Sequence, residues 1–125
     1  MKDWARLLRA VAVAANKPPE GPWFPAADVF RTSGGWIVKF ELAGVRSSDL
    51  ALRIEGRSLA LSGTRRDWNA HEAGTYQSME ISYSRFQRRI EFPCELVGAE
   101  IRTDYRDGML LVHISCDDDG EEAER

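Results

Sequence analysis

The chain has 125 residues, 43% hydrophobic and 30% charged, with a net charge of −3, a size and balance that fit one soluble globular domain and exclude two. With 17 Lys and Arg against 20 Asp and Glu, it lacks the basic surplus that nucleic-acid phosphates demand. Cys94 and Cys116 are the only cysteines and form no C-x-x-C, so neither a metal site nor a disulfide framework is expected, and a reducing, cytoplasmic setting is the default.

The first predicted element is a short amphipathic helix within "DWARLLRAVAVAA" (3–15). Trp4, Leu7, Leu8 and Val11 recur at helical spacing, Asp3 can cap the start, and Arg6 and Arg9 point the other way. The run "AVAVAA" is too short to cross a bilayer, and no membrane role is expected. So short a helix cannot close a core alone, so its apolar stripe must dock on its own domain, on a partner or on a client. "NKPPEGPWFPA" (16–26) follows, and its four prolines make a stiff connector that carries Trp23 and Phe24. Residues 1–25 therefore read as an arm, with a folded domain over 26–116.

Inside that domain the period is two. "ADVFRT" (27–32) and "WIVKFEL" (36–42) flank the turn "SGG", with Trp36, Val38, Phe40 and Leu42 inward. "LALRIE" (50–55) and "SLALSGT" (58–64) make a second hairpin. "RRDWNAHEAGTYQS" (65–78) is a polar excursion with Trp68 and Tyr76, longer than a functionless loop needs to be. "ISYSRFQRRIEFP" (81–93) reads as one strand that places Arg88 between Phe86 and Ile90 on an apolar face. A bulge, a partly covered face or an ion pair would each accommodate that arginine. "EIRTDYR" (100–106) and "MLLVHIS" (109–115) form a third hairpin through Asp107-Gly108. These strands predict an all-β, immunoglobulin-like antiparallel β-sandwich. "DDDGEEAER" (117–125), with six acids against Arg125, reads as a disordered acidic tail.

Catalytic chemistry has little to work with. His71 and His113 stand far apart without metal-ligand spacing, no G-x-S-x-G elbow occurs, and Cys94 has no visible base. No enzyme activity and no cofactor are expected, which leaves a binding role.

The block from Pro25 to Ser115 resembles the α-crystallin domain of small heat-shock proteins, the Hsp20 family. "ADVFRTSGGWIVKFELAGV" resembles the family's opening strands and their A/P-G-V end, and "LALRIEGRSLALSGTR" its L-x-I-x-G-x-R segment. "YQSMEISYSRFQRRIEFP" is similar to E-R-x-x-G-x-F-x-R-x-x-x-L-P through Glu80, Phe86, Arg88 and Pro93. "IRTDYRDGMLLVHI" matches A-x-x-x-x-G-x-L through Gly108 and Leu110. The departures are Ala43 for proline, Ser84 for glycine, Thr103 for alanine, and no I-x-I tripeptide after Ser115.

The resemblance implies an ATP-independent chaperone that holds unfolding proteins. It implies a homodimer by loop exchange, with Trp68 and Tyr76 on the exchanged loop, Val29 and Phe30 on the receiving edge, and Glu80 of one chain paired with Arg88 of the other. It also implies a groove between "LALRI" and "IRTDY", placing Leu50, Leu52, Ile54, Ile101, Thr103 and Tyr105 in client or partner binding, with Trp4, Leu7, Leu8, Val11, Trp23 and Phe24 as further client contacts. The missing I-x-I favours a dimer or small assembly, or hetero-assembly with a relative that carries the motif. A CS/p23-like co-chaperone or adaptor binding one folded partner is the alternative, and a carbohydrate-binding sandwich using Trp68 and Tyr76 ranks last.

Overall fold

The computed structural model describes residues 22–68 and 73–116. The helix expected at 3–15, with Trp4, Leu7, Leu8 and Val11, lies outside the described residues, as do His71 and the acidic stretch from 117.

The described residues form seven strands: β1 (Ala27–Thr32), β2 (Gly35–Glu41), β3 (Leu50–Glu55), β4 (Ser58–Thr64), β5 (Arg85–Glu91), β6 (Glu100–Arg106) and β7 (Met109–Ser115), with a 3-10 turn at Ser47–Asp49. They build two antiparallel sheets, ordered β1-β2-β7-β6 and β3-β4-β5. The all-β sandwich is thus the observed architecture. It follows from period-two patterning, because alternate side chains of each strand face the opposing sheet.

Register turns that alternation into a core. On β2 and β7, Val38 pairs with Val112 and Phe40 with Leu110. On β3 and β4, Leu52 pairs with Leu61 and Ile54 with Leu59. Val38, Phe40, Leu59, Leu61 and Val112 are completely buried, and Leu96, from the connector after β5, joins them. Truncating one such side chain to alanine in a close-packed interior costs about 2–5 kcal/mol. The β6–β7 hairpin turns through Asp107 (φ 54°) and Gly108 (φ 75°). Two successive left-handed residues match the twist of the flanking strands, and an Asp-Gly pair supplies them at little cost.

Two expectations are corrected. The strand read across 81–93 begins only at Arg85 and ends at Glu91. Its neighbour β4 stops at Thr64, opposite Arg85, and past a last backbone bond between Arg65 and Ser84 residues 81–83 have no strand to pair with. In that bond the Arg65 N–H donates to the Ser84 carbonyl at 2.9 Å, and Arg65 Nε donates to the Ser82 carbonyl at 2.9 Å.

The cysteines, expected to be unpaired, form a Cys94–Cys116 disulfide with Cα atoms 6.7 Å apart. Linear spacing hid this pair because topology makes it. Cys94 lies just beyond β5 in one sheet and Cys116 just beyond β7 in the other, so folding stacks residues that are 22 apart in sequence.

Candidate functional site

Arg88 lies opposite the buried Leu61 in the β4–β5 ladder, and the register runs without a bulge from Ser58–Glu91 to Thr64–Arg85. Its half-buried side chain turns toward the arm. Nη1 donates to the Pro25 carbonyl at 2.6 Å, and the guanidinium lies 4.1 Å from the centre of the Phe24 ring. A charge-assisted bond to a backbone carbonyl and a π-face are both favourable settings for a guanidinium on a partly covered face.

Arg65 plays a matching part. Its guanidinium lies 3.6 Å from the centre of Trp23, while Nη1 reaches the Ala43 carbonyl at 3.3 Å. Burial pulls its pKa below the ordinary arginine value. Trp23 packs edge-on against Phe86 at 5.1 Å, and the Trp23 N–H donates to Ser84 Oγ at 2.9 Å. The segment Pro22–Pro25 is thereby fastened to the β4–β5 end of the sandwich, with Pro25 completely buried. Sequence reasoning assigned Trp23 and Phe24 to client contact, and missed Arg65 altogether; its only signal was a basic residue directly after a strand. Glu80 is exposed and makes no ion pair among the described residues.

The described start of the polar excursion folds onto the connector after β2. Trp68 Nε1 donates to the Gly44 carbonyl at 3.0 Å, and Arg46 covers the Trp68 ring at 3.5 Å. Arg66 binds both oxygens of Asp49, at 3.0 and 3.1 Å, which holds the Asp49 carboxyl below its ordinary value. The Tyr76 hydroxyl donates to Asp67, and that bond pushes the Tyr76 pKa up to about 12.

Val29 and Phe30 lie on β1, whose sole ladder neighbour among the described strands is β2. They are 41% and 51% exposed, so this edge offers both unpaired backbone groups and apolar side chains.

A groove of about 500 Å³ opens where β3 of one sheet meets β6 of the other, lined by Leu52, Ile54, Leu96, Val97, Ala99 and Ile101, with Gly98. Three of the six expected groove residues line it: Leu52, Ile54 and Ile101. Leu50 packs half-buried against the core, Thr103 is exposed, and the Tyr105 hydroxyl is shared between the carbonyls of Leu42, at 3.0 Å, and Val45. The floor residues were missed, although "LVGA" (96–99) was an apolar run that no strand pattern had absorbed. Val97 among them is 64% exposed.

Among the described residues, no group of three or more His, Cys, Asp and Glu is placed to hold a metal ion, and no helix is long and apolar enough to cross a membrane.

The model of the Hsp20/alpha crystallin family matches residues 28–125. Spore protein SP21 of Stigmatella aurantiaca is 28% identical over 98 residues, covering 78% of this chain and 58% of the relative. The 19.0 kDa class II heat shock protein of Oryza sativa subsp. japonica is 31% identical over 90 residues, covering 67% and 51%. The chain thus spans about half to three-fifths of the length of these relatives. Heat shock protein 16.0 from Schizosaccharomyces pombe superposes with a TM-score of 0.73 at 22% identity, over 82% of this chain and 96% of that one. A small heat-shock protein from Xylella fastidiosa gives 0.64 at 20% identity, over 77% and 88%.

Proposed function

Because this chain belongs to the Hsp20/alpha crystallin family, we propose that it is an ATP-independent chaperone, a holdase that binds unfolding proteins and suppresses their aggregation in the cytoplasm. The observation that carries this reading is a closed core beside apolar side chains left outside it: Val29 and Phe30 on an unpaired edge, and Val97 over the groove. An unfolding client presents apolar segments and unpaired backbone. An open edge can satisfy the backbone by strand addition, and a groove can take alternate side chains. No catalytic group is needed for this, since capture rests on differential affinity for exposed apolar surface.

The functional unit in this reading is a homodimer. The excursion at 65–78 crosses to the edge β1 of a second protomer, and Glu80 meets the partner's Arg88. The intrachain bonds of Arg88 are compatible with that role, because a guanidinium carries five N–H donors and only one is engaged by Pro25. Leu52, Ile54 and Ile101 then take an I-x-I segment from a relative, or the apolar stripe of the chain's own arm.

The experiment is to heat a thermolabile enzyme with near-equal subunits of the chain, without nucleotide, and to follow turbidity while measuring native mass. Suppressed turbidity from a dimer or small oligomer is the expected result. Undiminished aggregation from a monomer would overturn it and favour an adaptor for one folded partner.

A further inference from the structure

We propose that Cys94 and Cys116 are a redox-responsive staple that sets the shape of the β3–β6 groove, a control that rests on the groove reading above. The groove draws its walls from both sheets, Leu52 and Ile54 from β3 and Ile101 from β6, and its floor from the connector between β5 and β6. Cys94 sits in that connector two residues before Leu96, and Cys116 follows the last residue of β7. Their bond therefore joins the connector, two residues from Leu96, to the end of β7 beside the floor of the groove.

The rest of the floor is held from one side. The Phe92 N–H donates to the Arg57 carbonyl at 2.9 Å, and the Leu96 N–H to the Gly56 carbonyl at 3.0 Å, which ties the connector to the β3–β4 turn. On the other side, Glu100 pairs with Ser115 in the β6–β7 ladder. Beyond that pair the Cys116 N–H donates to the Gly34 carbonyl at 3.1 Å, and the Ala99 N–H to the Leu96 carbonyl at 3.0 Å. The staple thus ties the connector at Cys94, two residues from the buried Leu96, to the end of β7 at Cys116. The Cα separation of 6.7 Å lies within the span that a disulfide bridges without moving the backbone.

The two cysteines are unequal in access, which orders the chemistry. Cys94 is 6% exposed and belongs to the core cluster, whereas Cys116 is half-buried at its margin. The Cys116 thiolate attacks one sulfur of a small disulfide such as oxidised glutathione and releases one glutathione thiolate. The Cys94 thiolate then attacks the Cys116 sulfur of that mixed disulfide and releases the second. One S–S bond forms in the protein as two S–H bonds are lost, and the oxidant is reduced to two thiols that take up both protons. A reducing compartment keeps the dithiol, and oxidative stress closes the staple. A closed staple preorganises the floor, so the oxidised form binds an apolar segment more tightly.

The test uses the full chain equilibrated with oxidised glutathione or with dithiothreitol. Alkylation in denaturant, followed by mass measurement, should find no free cysteine in the first sample and two in the second. Amide exchange over 94–101 should quicken about tenfold on reduction, and a fluorescent I-x-I peptide should bind the reduced form about fivefold or more weakly. Cys116→Ser should behave as the reduced form in both buffers. Two free cysteines after oxidation, or exchange that ignores the redox state, would overturn the staple. Equal peptide affinity in the two forms would overturn its control of the groove. Exchange that responds while the peptide binds neither form would refute the groove reading and uphold the staple.

Discussion

Replacing Arg88 by alanine separates two roles that the same guanidinium can play. Within the chain the substitution removes the 2.6 Å bond to the Pro25 carbonyl and the contact with Phe24. A hydrogen bond from a charged donor is worth about 1.5–3 kcal/mol when well shielded, and a half-buried one about 1 kcal/mol. Cation–π contact with a ring as open as Phe24 adds about 0.5–1 kcal/mol. The expected loss is about 1.5–2 kcal/mol, or roughly 6–16 °C in Tm for a domain of this size. Arg88→Lys should recover only part of it, since an ammonium keeps the charge but not the planar fork. The assay is thermal and urea unfolding at a dilution where native mass shows monomer, repeated at a concentration where it shows dimer. Glu80→Ala should leave the dilute chain unchanged, because Glu80 is exposed and unpaired among the described residues, yet it should weaken the dimer. A double-mutant cycle should show coupling between Glu80 and Arg88 only in the dimer. If Arg88→Ala unfolds like the parent at both concentrations, the clamp on the arm and the interchain pair are both wrong.

Three further substitutions probe the fold and the excursion. Gly63→Ala would place a Cβ 2.5 Å from the Asp49 carbonyl oxygen and 2.7 Å from the Phe86 ring; backbone cannot yield as a side chain can, so urea unfolding should show a loss of about 1–3 kcal/mol, and an unchanged midpoint would contradict the packing. Tyr105→Phe deprives the carbonyls of Leu42 and Val45 of their shared hydroxyl and should cost about 1 kcal/mol in the same assay. The Tyr76–Asp67 bond favours the protonated phenol, so it contributes fully below the ordinary tyrosine value of 10.0 and is lost as pH rises toward about 12. Tyrosinate absorbance should therefore show a late step near pH 12 that Tyr76→Phe removes; a titration complete well below that, with Asp67 intact, would contradict the contact.

The strands were legible because each carries its own period, and the core followed since alternation decides which side chains face the other sheet. Alternation placed Leu52 and Ile54 on one face of β3, but their part in a groove with Ile101 came from the family resemblance and not from the period. Less was visible where three-dimensional proximity, rather than local pattern, makes the feature. The Cys94–Cys116 pair needed the stacking of the two sheets, and the groove floor at Leu96–Ala99 sits in a connector with no periodicity to read. The late start of β5 depended on where β4 ran out at Thr64. Arg88 shows both sides of this: its place on an apolar face was plain from spacing, whereas its partners at Pro25 and Phe24 lie more than sixty residues away and left no trace nearby.

The holdase reading is tested most directly by asking where a client goes when it unfolds. A thermolabile enzyme heated with the chain, without nucleotide, can be cooled and passed through a sizing column with light scattering and subunit analysis of each fraction. Capture predicts a soluble species, heavier than either protein alone, that contains both. Client recovered only as an insoluble pellet, with the chain eluting unchanged in its own peak, would contradict it.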